Sequence, residues 1–350
     1  MNYTEEYVSD LVLVQESVPN LSLLRDANIL VTGAGGMICS AIVDFLLQLN
    51  DTADARLHIY AAARSRERIL ARFGVRADRA DFHFLQYDAL CPISSEVRFD
   101  YIIHGAGNAN PGAYVSQPVE TMLANFTGLQ NVMDYMKVHG GKRVLYISSS
   151  EVYGQKKDSL PYEENDYKFV DILNPRACYP SAKRASETLC AAYGQEYGMD
   201  AVIVRPGHIY GPTMTDFDNR ASSQFPRDVL NGKDIVMKSA GTQMRSYCYV
   251  LDCVSAIIAV LLNGMSGQAY NISNAQSVVT IRELAEYFAK AGGRKVVFEL
   301  PTELEKAGYN LMDNSSLTSG KLEALGWKPC FDAVLGTERT INILKRSSSI

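Results

Sequence analysis

Residues 28–49 read NILVTGAGGMICSAIVDFLLQL. An apolar β-rich run leads into a glycine-rich turn and then into an apolar helical run, which is the strand–loop–helix order of a dinucleotide-binding unit. Glycine lets the backbone approach a pyrophosphate, and a helix N-terminus offers unsatisfied N–H groups and the positive end of a dipole. The third glycine of the pattern is replaced by Cys39, whose thiol requires slight repacking between helix and strand. The residues expected to contact a dinucleotide here are Gly33, Gly36, Met37 and Ile38.

The rest of the chain continues this alternation as far as Pro206, and no hairpin turns interrupt it. That order is typical of a parallel sheet with helices on both faces. Beyond Pro206 a loop, helices and short strands near residues 234–241 and 295–300 follow. We therefore expect an α/β fold: a Rossmann-type doubly wound parallel sheet with a smaller C-terminal α/β substrate-binding cap over the carboxyl ends of its strands.

The bulk composition limits the partners. A chain of 350 residues can form one large domain or two intimate ones, and a net charge of −5 without a long basic run argues against nucleic acid. The N-terminus lacks a secretory signal, and no apolar run is long enough to span a bilayer. The seven cysteines are scattered without metal-binding spacing, so we expect free thiols, no metal, no membrane partner and a cytoplasmic location.

Further cofactor candidates end the next three strands. After the second strand an acid often binds the ribose 2′-OH, but this chain has Arg64, which could stack on adenine or pair with a 2′-phosphate. The choice between NAD and NADP therefore stays open at this position. Asp88 and Ala89 end the third strand as candidate adenine contacts, and the small residues Gly105 and Ala106 after the fourth would let a ribose or nicotinamide lie against the backbone.

Residues 176–183, RACYPSAK, place Tyr179 and Lys183 one helical turn apart. A nearby ammonium favours the phenolate and lowers the pKa of a tyrosine from about 10. The pair is therefore a candidate acid–base site, because such a tyrosine can exchange protons near neutral pH.

Polar residues at the end of the fifth strand add to this candidate site. Ser149 could hydrogen-bond a sugar oxygen next to Tyr179, and Glu151 offers a carboxylate for acid–base work or for binding. Asn125, in the preceding helix, could hold a water or brace Lys183.

Together these motifs resemble those of the extended short-chain dehydrogenases/reductases, in the NAD-dependent nucleotide-sugar epimerase/dehydratase family. The resemblance covers about residues 26–345 through VTGAGGMI, YIIHGAG, LANFTG, YISSSEVYG, CYPSAK, RPGHIYGP, RSYCYVLD, AYNIS and KLEALGWKP. In such enzymes NAD oxidises a sugar carbon, usually C4, while a tyrosinate takes the hydroxyl proton. The resemblance implies Tyr179 as base, Lys183 as ribose ligand and modulator of the tyrosine pKa, and Ser149 as hydroxyl partner. Asn125 is implied as a supporting polar residue.

Within that family the residue after Ser149 separates the subgroups. The 4,6-dehydratases carry an Asp there, whereas this chain has Ser150, a poor acid for expelling water. The order Ser-Ser-Glu-Val-Tyr-Gly instead resembles UDP-glucuronate decarboxylases. That resemblance implies the substrate ligands Ser150, Glu151, Arg220 and Arg245.

Arg245 has an alternative role, and His208 departs from the family pattern. Arg245 could clamp a diphosphate or a carboxylate, or form a structural salt bridge with Asp252 or a neighbour. His208 stands where other members carry an asparagine near the substrate diphosphate, and we count it among the cofactor ligands.

The resemblance predicts NAD-dependent modification of a nucleotide-activated sugar, with UDP-glucuronate decarboxylation favoured. The alternatives are an NDP-sugar 4-epimerase or dehydratase, an NADPH-dependent sugar reductase and a non-catalytic NAD-binding protein. We expect a homodimer formed through two helices at about 119–137 and 181–194. The expected domains are an N-terminal helical appendage at 1–25, an NAD-binding Rossmann domain at 26–205 plus about 247–274, and a substrate-binding domain at 206–246 and 275–350.

Overall fold

A seven-stranded sheet forms the centre of the computed structural model, which describes residues 3–156, 158–216, 218–300 and 312–347. The strands in chain order are β1 Asn28–Thr32, β2 His58–Ala63, β3 Phe82–Gln86, β4 Tyr101–His104, β5 Arg143–Ile147, β6 Ala201–Pro206, β7 His208–Tyr210, β8 Ile235–Met237, β9 Met244–Tyr249, β10 Ala269–Ile272, β11 Val278–Thr280, β12 Val296–Phe298 and β13 Asn314–Ser315. Strands β10, β6, β5, β4, β1, β2 and β3 lie side by side in that order, and each neighbouring pair is parallel. The predicted doubly wound parallel sheet is confirmed.

Helices cover both faces of this sheet. The α-helices of the described residues are, in chain order, α1 Glu5–Leu13, α2 Met37–Ala53, α3 Arg66–Phe73, α4 Pro111–Ser116, α5 Pro118–His139, α6 Cys178–Tyr197, α7 Ala221–Leu230, α8 Val250–Asn263, α9 Ile281–Gly292, α10 Gly320–Glu323 and α11 Ala333–Ser347. Because side chains alternate across a strand, Ile29 and Val31 pack with α2 and α8, whereas Leu30 packs with α5 and α6 on the opposite face. The strands are buried on both faces, which is why they read as nearly continuous apolar runs. Within the described ranges, no helix combines the length and the apolar content needed to cross a membrane.

Two smaller sheets form from the chain beyond β6. Strand β9 pairs in parallel with β7 and β13 and antiparallel with β11, and β8 pairs in parallel with β12. The sequence predicts β8 and β12 but not β7, β9, β11 or β13. The missed strands contain two to six residues and find partners far along the chain, so their pairing depends on tertiary contacts.

The N-terminal segment packs against the main sheet's helices. Tyr7 and Leu11 of α1 are fully buried in the same apolar core as α2 and α8. The hydroxyls of Tyr3 and Tyr7 donate to the Asp44 carboxylate of α2 at 2.6 and 2.8 Å, and Arg72 of α3 pairs with the same carboxylate at 2.5 Å. Asp44 thus ties the N-terminal segment to two helices, while the domain boundaries stay a prediction.

A buried polar network joins α6 to the ends of β5 and β6. Arg205 of β6 donates two hydrogen bonds to the Glu187 carboxylate of α6, at 2.6 and 3.0 Å, and both residues lie away from solvent. Ser148, directly after β5, donates to Glu187 at 2.6 Å. Arg205 also donates to the Tyr153 hydroxyl at 3.1 Å and to the Glu164 carbonyl at 2.7 Å. The network holds α6 in place against the carboxyl edge of the sheet.

Glu187→Gln should lower the free energy of unfolding by about 3–5 kcal/mol, because the buried Arg205 guanidinium loses its carboxylate. Glu286→Gln serves as the matched control: it breaks the Arg282–Glu286 pair, whose side chains are 54% and 47% exposed, at an expected cost below about 1 kcal/mol. Urea unfolding of both variants measures the difference. Equal losses in the two variants would contradict a structural role for the buried pair.

Candidate active site

Tyr179 lies buried in the first turn of α6, stacked against Tyr114 of α4. The two ring centroids are 4.5 Å apart and the ring planes differ by 11°. One turn later, Lys183 donates from Nζ to the carbonyl of Ile147, the last residue of β5, at 2.8 Å. The Lys183 Nζ lies 5.7 Å from the centroid of the Tyr179 ring. The structure therefore brings the predicted pair together at the carboxyl end of β5.

Burial dominates the protonation of this pair. It raises the pKa of Tyr179 to about 12 and lowers the pKa of Lys183 to about 7. The Glu151 carboxylate raises the pKa of Tyr179 further, whereas hydrogen bonds with Ser149 and Tyr114 lower it. Burial is the largest contribution and makes the net pKa of Tyr179 high, while the lowering expected from Lys183 stays a prediction. The Lys183 ammonium is bonded to a main-chain carbonyl, and burial removes part of its charge near neutral pH.

The turn after β5 carries Ser149, Ser150 and Glu151. Ser149 caps this 3-10 turn, and its hydroxyl accepts from the N–H of Glu151 at 3.2 Å. The Glu151 carboxylate forms a bidentate ion pair with Arg176, with N–O distances of 3.1 and 3.3 Å. Ser149 and Ser150 are half-buried. Ser149 and Glu151 both act on the pKa of Tyr179, Ser150 lies between them in the same turn, and Glu151 already has a cationic partner.

Arg245 of β9 is a buried guanidinium, with the residue 3% exposed. Its Nη1 donates to the carbonyls of Met244 at 2.8 Å and Met312 at 3.1 Å, and it forms no ion pair with any carboxylate of the described residues. The alternative of a salt bridge to Asp252 is wrong. Asp252 instead accepts from the main-chain N–H groups of Cys330 and Phe331 at 2.7 and 3.0 Å.

His208 and Arg220 connect Arg245 to the tyrosine. Burial lowers the pKa of His208 to about 3, with the charges of Arg245 and Arg220 as further causes. Its Nδ1 has no hydrogen-bond partner in the part of the chain that the structure describes. The Arg220 guanidinium is held by Asp218, at 2.5 Å between Nη2 and Oδ2, and its charge also bears on Tyr179. The charge of Arg220 thus acts on both His208 and Tyr179.

The glycine turn after β1 has the geometry that a dinucleotide requires. Gly33 has a φ of +75°, and a Cβ there would lie 2.9 Å from main-chain atoms of Gly105 and Ala106. Gly36 caps the 17-residue helix α2 without any side-chain hydrogen bond, so its first turn, which begins at Met37, keeps free N–H groups. Close backbone approach and an uncapped helix N-terminus together fit a pyrophosphate. Ile38 follows in the same turn.

Cys39 and Gly105 form a complementary pair beneath this turn. A Cβ on Gly105 would lie 2.3 Å from the Cys39 Sγ and 3.1 Å from the Ile147 Cδ1. The thiol therefore fills the space that a side chain at position 105 would need. This contact is the repacking that replacement of the third glycine requires.

The outer cofactor candidates lie at the ends of β2 and β3. Arg64 and Asp88 are exposed, and Ala89 is half-buried. The Arg64 carbonyl accepts from the Gln86 side chain at 2.7 Å, and the Asp88 carboxylate accepts from the N–H of Leu90 at 3.0 Å. These two side chains remain accessible to a ligand at the carboxyl edge of the sheet.

Asn125 is buried in α5, and only the nitrogen of its carboxamide has a hydrogen-bond partner among the described residues. Its Nδ2 donates to the Thr121 carbonyl at 2.8 Å, and its Oδ1 has no partner in the described ranges. That oxygen faces the loop after β4, because a Cβ on Gly107 would lie 2.4 Å from it. Asn125 contacts α6 through its main chain, whose carbonyl accepts from Ser186 at 3.2 Å, rather than by a side-chain bond to Lys183.

Three residues of the site are missing from the sequence prediction: Tyr114, Arg176 and Asp218. The first two contact the predicted residues across different elements, so no local spacing marks them. The sequence offered one indication for Arg176, because it is the first residue of the RACYPSAK motif and Glu151, an acid near the end of the fifth strand, precedes it in the chain. Asp218 stands two residues before Arg220, and such a short spacing does not by itself indicate a pair.

Gly105→Ala should destabilise the fold by roughly 1–3 kcal/mol, because its Cβ overlaps the Cys39 thiol. The double variant Gly105→Ala/Cys39→Ala should recover most of that loss, since the smaller residue at 39 makes room. Thermal unfolding of the two variants, with Cys39→Ala alone as control, measures the coupling. A double variant as unstable as Gly105→Ala would refute the contact as the cause.

Known proteins resemble this chain over most of its length. Residues 29–273 match the model of the NAD dependent epimerase/dehydratase family. UDP-glucuronic acid decarboxylase 6 of Arabidopsis thaliana is 32% identical over 303 residues, which cover 86% of this chain and 84% of that protein. UDP-glucuronic acid decarboxylase 1 of Xenopus tropicalis is 29% identical over 320 residues, covering 91% and 72%.

Solved structures share the fold. The UDP-glucuronic acid 4-epimerase of Bacillus cereus, crystallised with NAD and a fluorinated UDP-sugar, superposes with a TM-score of 0.76 at 20% identity and covers 91% of this chain and 99% of its own. The predicted family, cofactor and enzyme class are confirmed by these matches. The chain therefore belongs to the NAD-dependent epimerase/dehydratase family and is an NAD-dependent enzyme.

Proposed function

We propose that this enzyme oxidises UDP-glucuronate at C4 and removes its carboxyl group as carbon dioxide. The observation that carries the proposal is Arg245, a buried guanidinium without a carboxylate partner in the described ranges. A buried cation without an anion is costly, so this position suits an anionic ligand. A guanidinium binds a carboxylate or a diphosphate with two parallel hydrogen bonds. The relatives named UDP-glucuronic acid decarboxylases favour a substrate that carries both groups.

The proposed roles follow from the contacts around Tyr179. NAD, when bound, supplies the hydride acceptor and donor for C4. Tyr179 takes the proton of the C4 hydroxyl, and Ser149, whose side chain lowers the pKa of Tyr179, holds the same sugar oxygen. Lys183 holds the cofactor ribose beside Tyr179. The Asn125 carboxamide, whose oxygen has no partner among the described residues, supports the loop that faces it.

The second half of the reaction needs a held carboxylate and a stabilised oxygen. Oxidation at C4 turns the sugar into a β-keto acid. Its C5–C6 bond breaks and leaves the electron pair on the C4 oxygen as an enolate, and C5 then takes a proton from water as the ketone is restored. Tyr179, now protonated, and Ser149 can donate to that oxygen. Arg245 holds the carboxylate that leaves. Glu151 and Ser150, half-buried at the turn after β5, accept and donate hydrogen bonds with the remaining sugar hydroxyls.

The remaining ligands divide between the cofactor and the diphosphate. Arg220 and Arg245 are proposed substrate ligands, since the charges of both act on His208. The proposed cofactor ligands are Gly33, Gly36, Met37, Ile38, Arg64, Asp88, Ala89, Gly105, Ala106, Tyr179, Lys183 and His208. This division corresponds to a cofactor domain at 26–205 with about 247–274, a substrate domain at 206–246 and 275–350, and an N-terminal appendage at 1–25.

The exposed faces of α5 and α6 support a homodimer. Val119 and Leu123 lie one turn apart on α5 and are 63% and 47% exposed, and Met122 is exposed beside them. The neighbouring helix α6 exposes the small residues Ala185 and Ala192. Two adjacent helices with exposed apolar and small side chains suit a self-complementary interface between two copies.

A reducing compartment is the proposed location. All seven cysteines are free thiols, and Cys91 is exposed. Disulfides form and persist in oxidising compartments. The unpaired thiols therefore support a cytoplasmic location.

UDP-glucuronate labelled at C6 should yield labelled carbon dioxide and a UDP-pentose when incubated with the purified enzyme and NAD. Arg245→Ala should lower kcat/KM by roughly 100-fold or more, because the substrate loses a buried charged contact of about 3 kcal/mol. Arg245→Lys should recover only part of the activity, since an ammonium cannot form the bidentate contact. Mass spectrometry of gas and nucleotide products measures both reactions.

The matched control is Arg282→Ala, which removes an arginine of α9 that pairs with Glu286. It should leave turnover unchanged. If the enzyme releases the 4-epimer of UDP-glucuronate and no carbon dioxide, decarboxylation is contradicted and epimerisation is favoured. Full activity of the Arg245→Ala variant would contradict the role of Arg245 as a substrate ligand.

Val119→Asp/Leu123→Asp should convert a dimer into a monomer, because it places charges in the proposed apolar contact. Light scattering coupled to size-exclusion chromatography measures the molar mass. Val75→Asp, at an apolar position 81% exposed elsewhere on the surface, serves as control and should stay dimeric. A wild-type protein that elutes as a monomer at micromolar concentration would refute the interface.

A further inference from the structure

Arg176 joins the turn after β5 to helix α4. Its two Nη atoms contact the two carboxylate oxygens of Glu151 at 3.1 and 3.3 Å, and its Cζ lies 4.6 Å from the centroid of the Tyr114 ring. The Asn174 side chain accepts from the N–H of Arg176 at 3.0 Å, which caps the turn that carries it. The N–H groups of the planar guanidinium therefore bind the Glu151 carboxylate, and its flat face packs on the Tyr114 ring.

These contacts continue to the reactive tyrosine. Tyr114 stacks on Tyr179 at 4.5 Å, and Lys183 lies 5.7 Å from the Tyr179 ring. Two cations and two stacked phenols thus follow one another in the order Arg176, Tyr114, Tyr179, Lys183. Stacked rings and cations over aromatic faces are each favourable, so the series holds the Tyr179 ring in one orientation.

We propose that Arg176 is a positioning residue for the reaction at Tyr179, and this inference rests on the proposed function. Arg176 holds the Glu151 carboxylate in a fixed place and keeps Tyr114 stacked against Tyr179. It acts through these two residues, while the substrate meets Tyr179, Ser149 and Glu151.

The charge of Arg176 has a separate effect that can be measured. The groups that face Tyr179 are Glu151 and Ser149 after β5, Tyr146 within β5, Tyr114 on α4, Lys183 on α6 and Arg220 before α7. After burial, the Glu151 carboxylate is the largest cause that raises the pKa of Tyr179. Arg176 pairs with that carboxylate at hydrogen-bond distance and offsets part of its charge. Its removal should therefore disfavour the phenolate, and removal of the Glu151 charge should favour it.

The test compares Arg176→Gln, Glu151→Gln and the double variant in the intact enzyme with NAD present. The pKa of Tyr179 is measured from the phenolate absorbance of each protein minus that of its Tyr179→Phe counterpart. Arg176→Gln should raise this pKa by about 1, Glu151→Gln should lower it by about 1, and the double variant should return near the wild-type value. The rising limb of kcat/KM against pH for UDP-glucuronate should move in the same directions.

Two further variants separate charge from geometry. Arg176→Lys keeps the charge but loses the fork and the flat face, so it should restore the pKa of Tyr179 while kcat stays roughly tenfold or more below wild type. Arg282→Gln is the matched control, because Arg282 also pairs with a carboxylate, Glu286, and lies over an aromatic ring, Phe298. It should change neither the pKa nor kcat.

The outcomes distinguish this inference from the proposed function. A wild-type enzyme that releases no carbon dioxide, with the pKa of Tyr179 moving as expected, refutes decarboxylation and leaves the positioning role in place. An active enzyme in which Arg176→Gln leaves that pKa unchanged refutes the positioning role alone. If Arg176→Gln does not fold, an unchanged pKa in Glu151→Gln or a fully active Arg176→Lys refutes it instead.

Discussion

One buried carboxylate, that of Glu187, determines where the reactive residues lie. It accepts two hydrogen bonds from Arg205 and one from Ser148, and so joins α6 to the ends of β6 and β5. Lys183 lies one helical turn before Glu187 and Tyr179 one turn before that. Because α6 is held at this point, the Lys183 ammonium reaches the last carbonyl of β5, and the Tyr179 phenol reaches the residues that follow the strand.

The same burial that fixes these groups also opposes their charges. The pKa of Tyr179 rises, and the pKa values of Lys183 and His208 fall, with desolvation as the leading cause in each case. A phenol in such a place ionises only when positive charge is brought close to it, so the charges of its ligands and neighbours control the acid–base step. The site is therefore sensitive to each nearby carboxylate and guanidinium.

Two arginines near the tyrosine illustrate opposite uses of the same side chain. Arg176 is satisfied by Glu151 and by the face of Tyr114, whereas Arg245 bonds only main-chain carbonyls in the described ranges. A satisfied guanidinium organises the groups around it. A buried guanidinium without a carboxylate partner among the described residues instead suits an anion, which is why Arg245 supports the proposed substrate.

Much of the fold could be predicted from the sequence because it depends on local patterns. Apolar runs and their alternation with helices specify a parallel sheet, the glycines at 33 and 36 mark the turn, and four-residue spacing puts Tyr179 and Lys183 on one side of a helix. These periodicities need no knowledge of the tertiary structure. The short strands around β9 lack such a pattern, and they were missed for that reason.

Only the tertiary structure decided the contacts and charges of the site. Tyr114 stacks on Tyr179, Arg176 pairs with Glu151 across 25 residues, and Asp252 bonds main-chain N–H groups instead of Arg245. Burial also raises the pKa of Tyr179, whereas its spacing from Lys183 predicts a lowered one. Spacing along the chain identifies which residues share a face, but desolvation and partners depend on the elements that pack around them. The amino-acid sequence therefore determined the scaffold and the reactive pair, and packing determined the electrostatics in which that pair works.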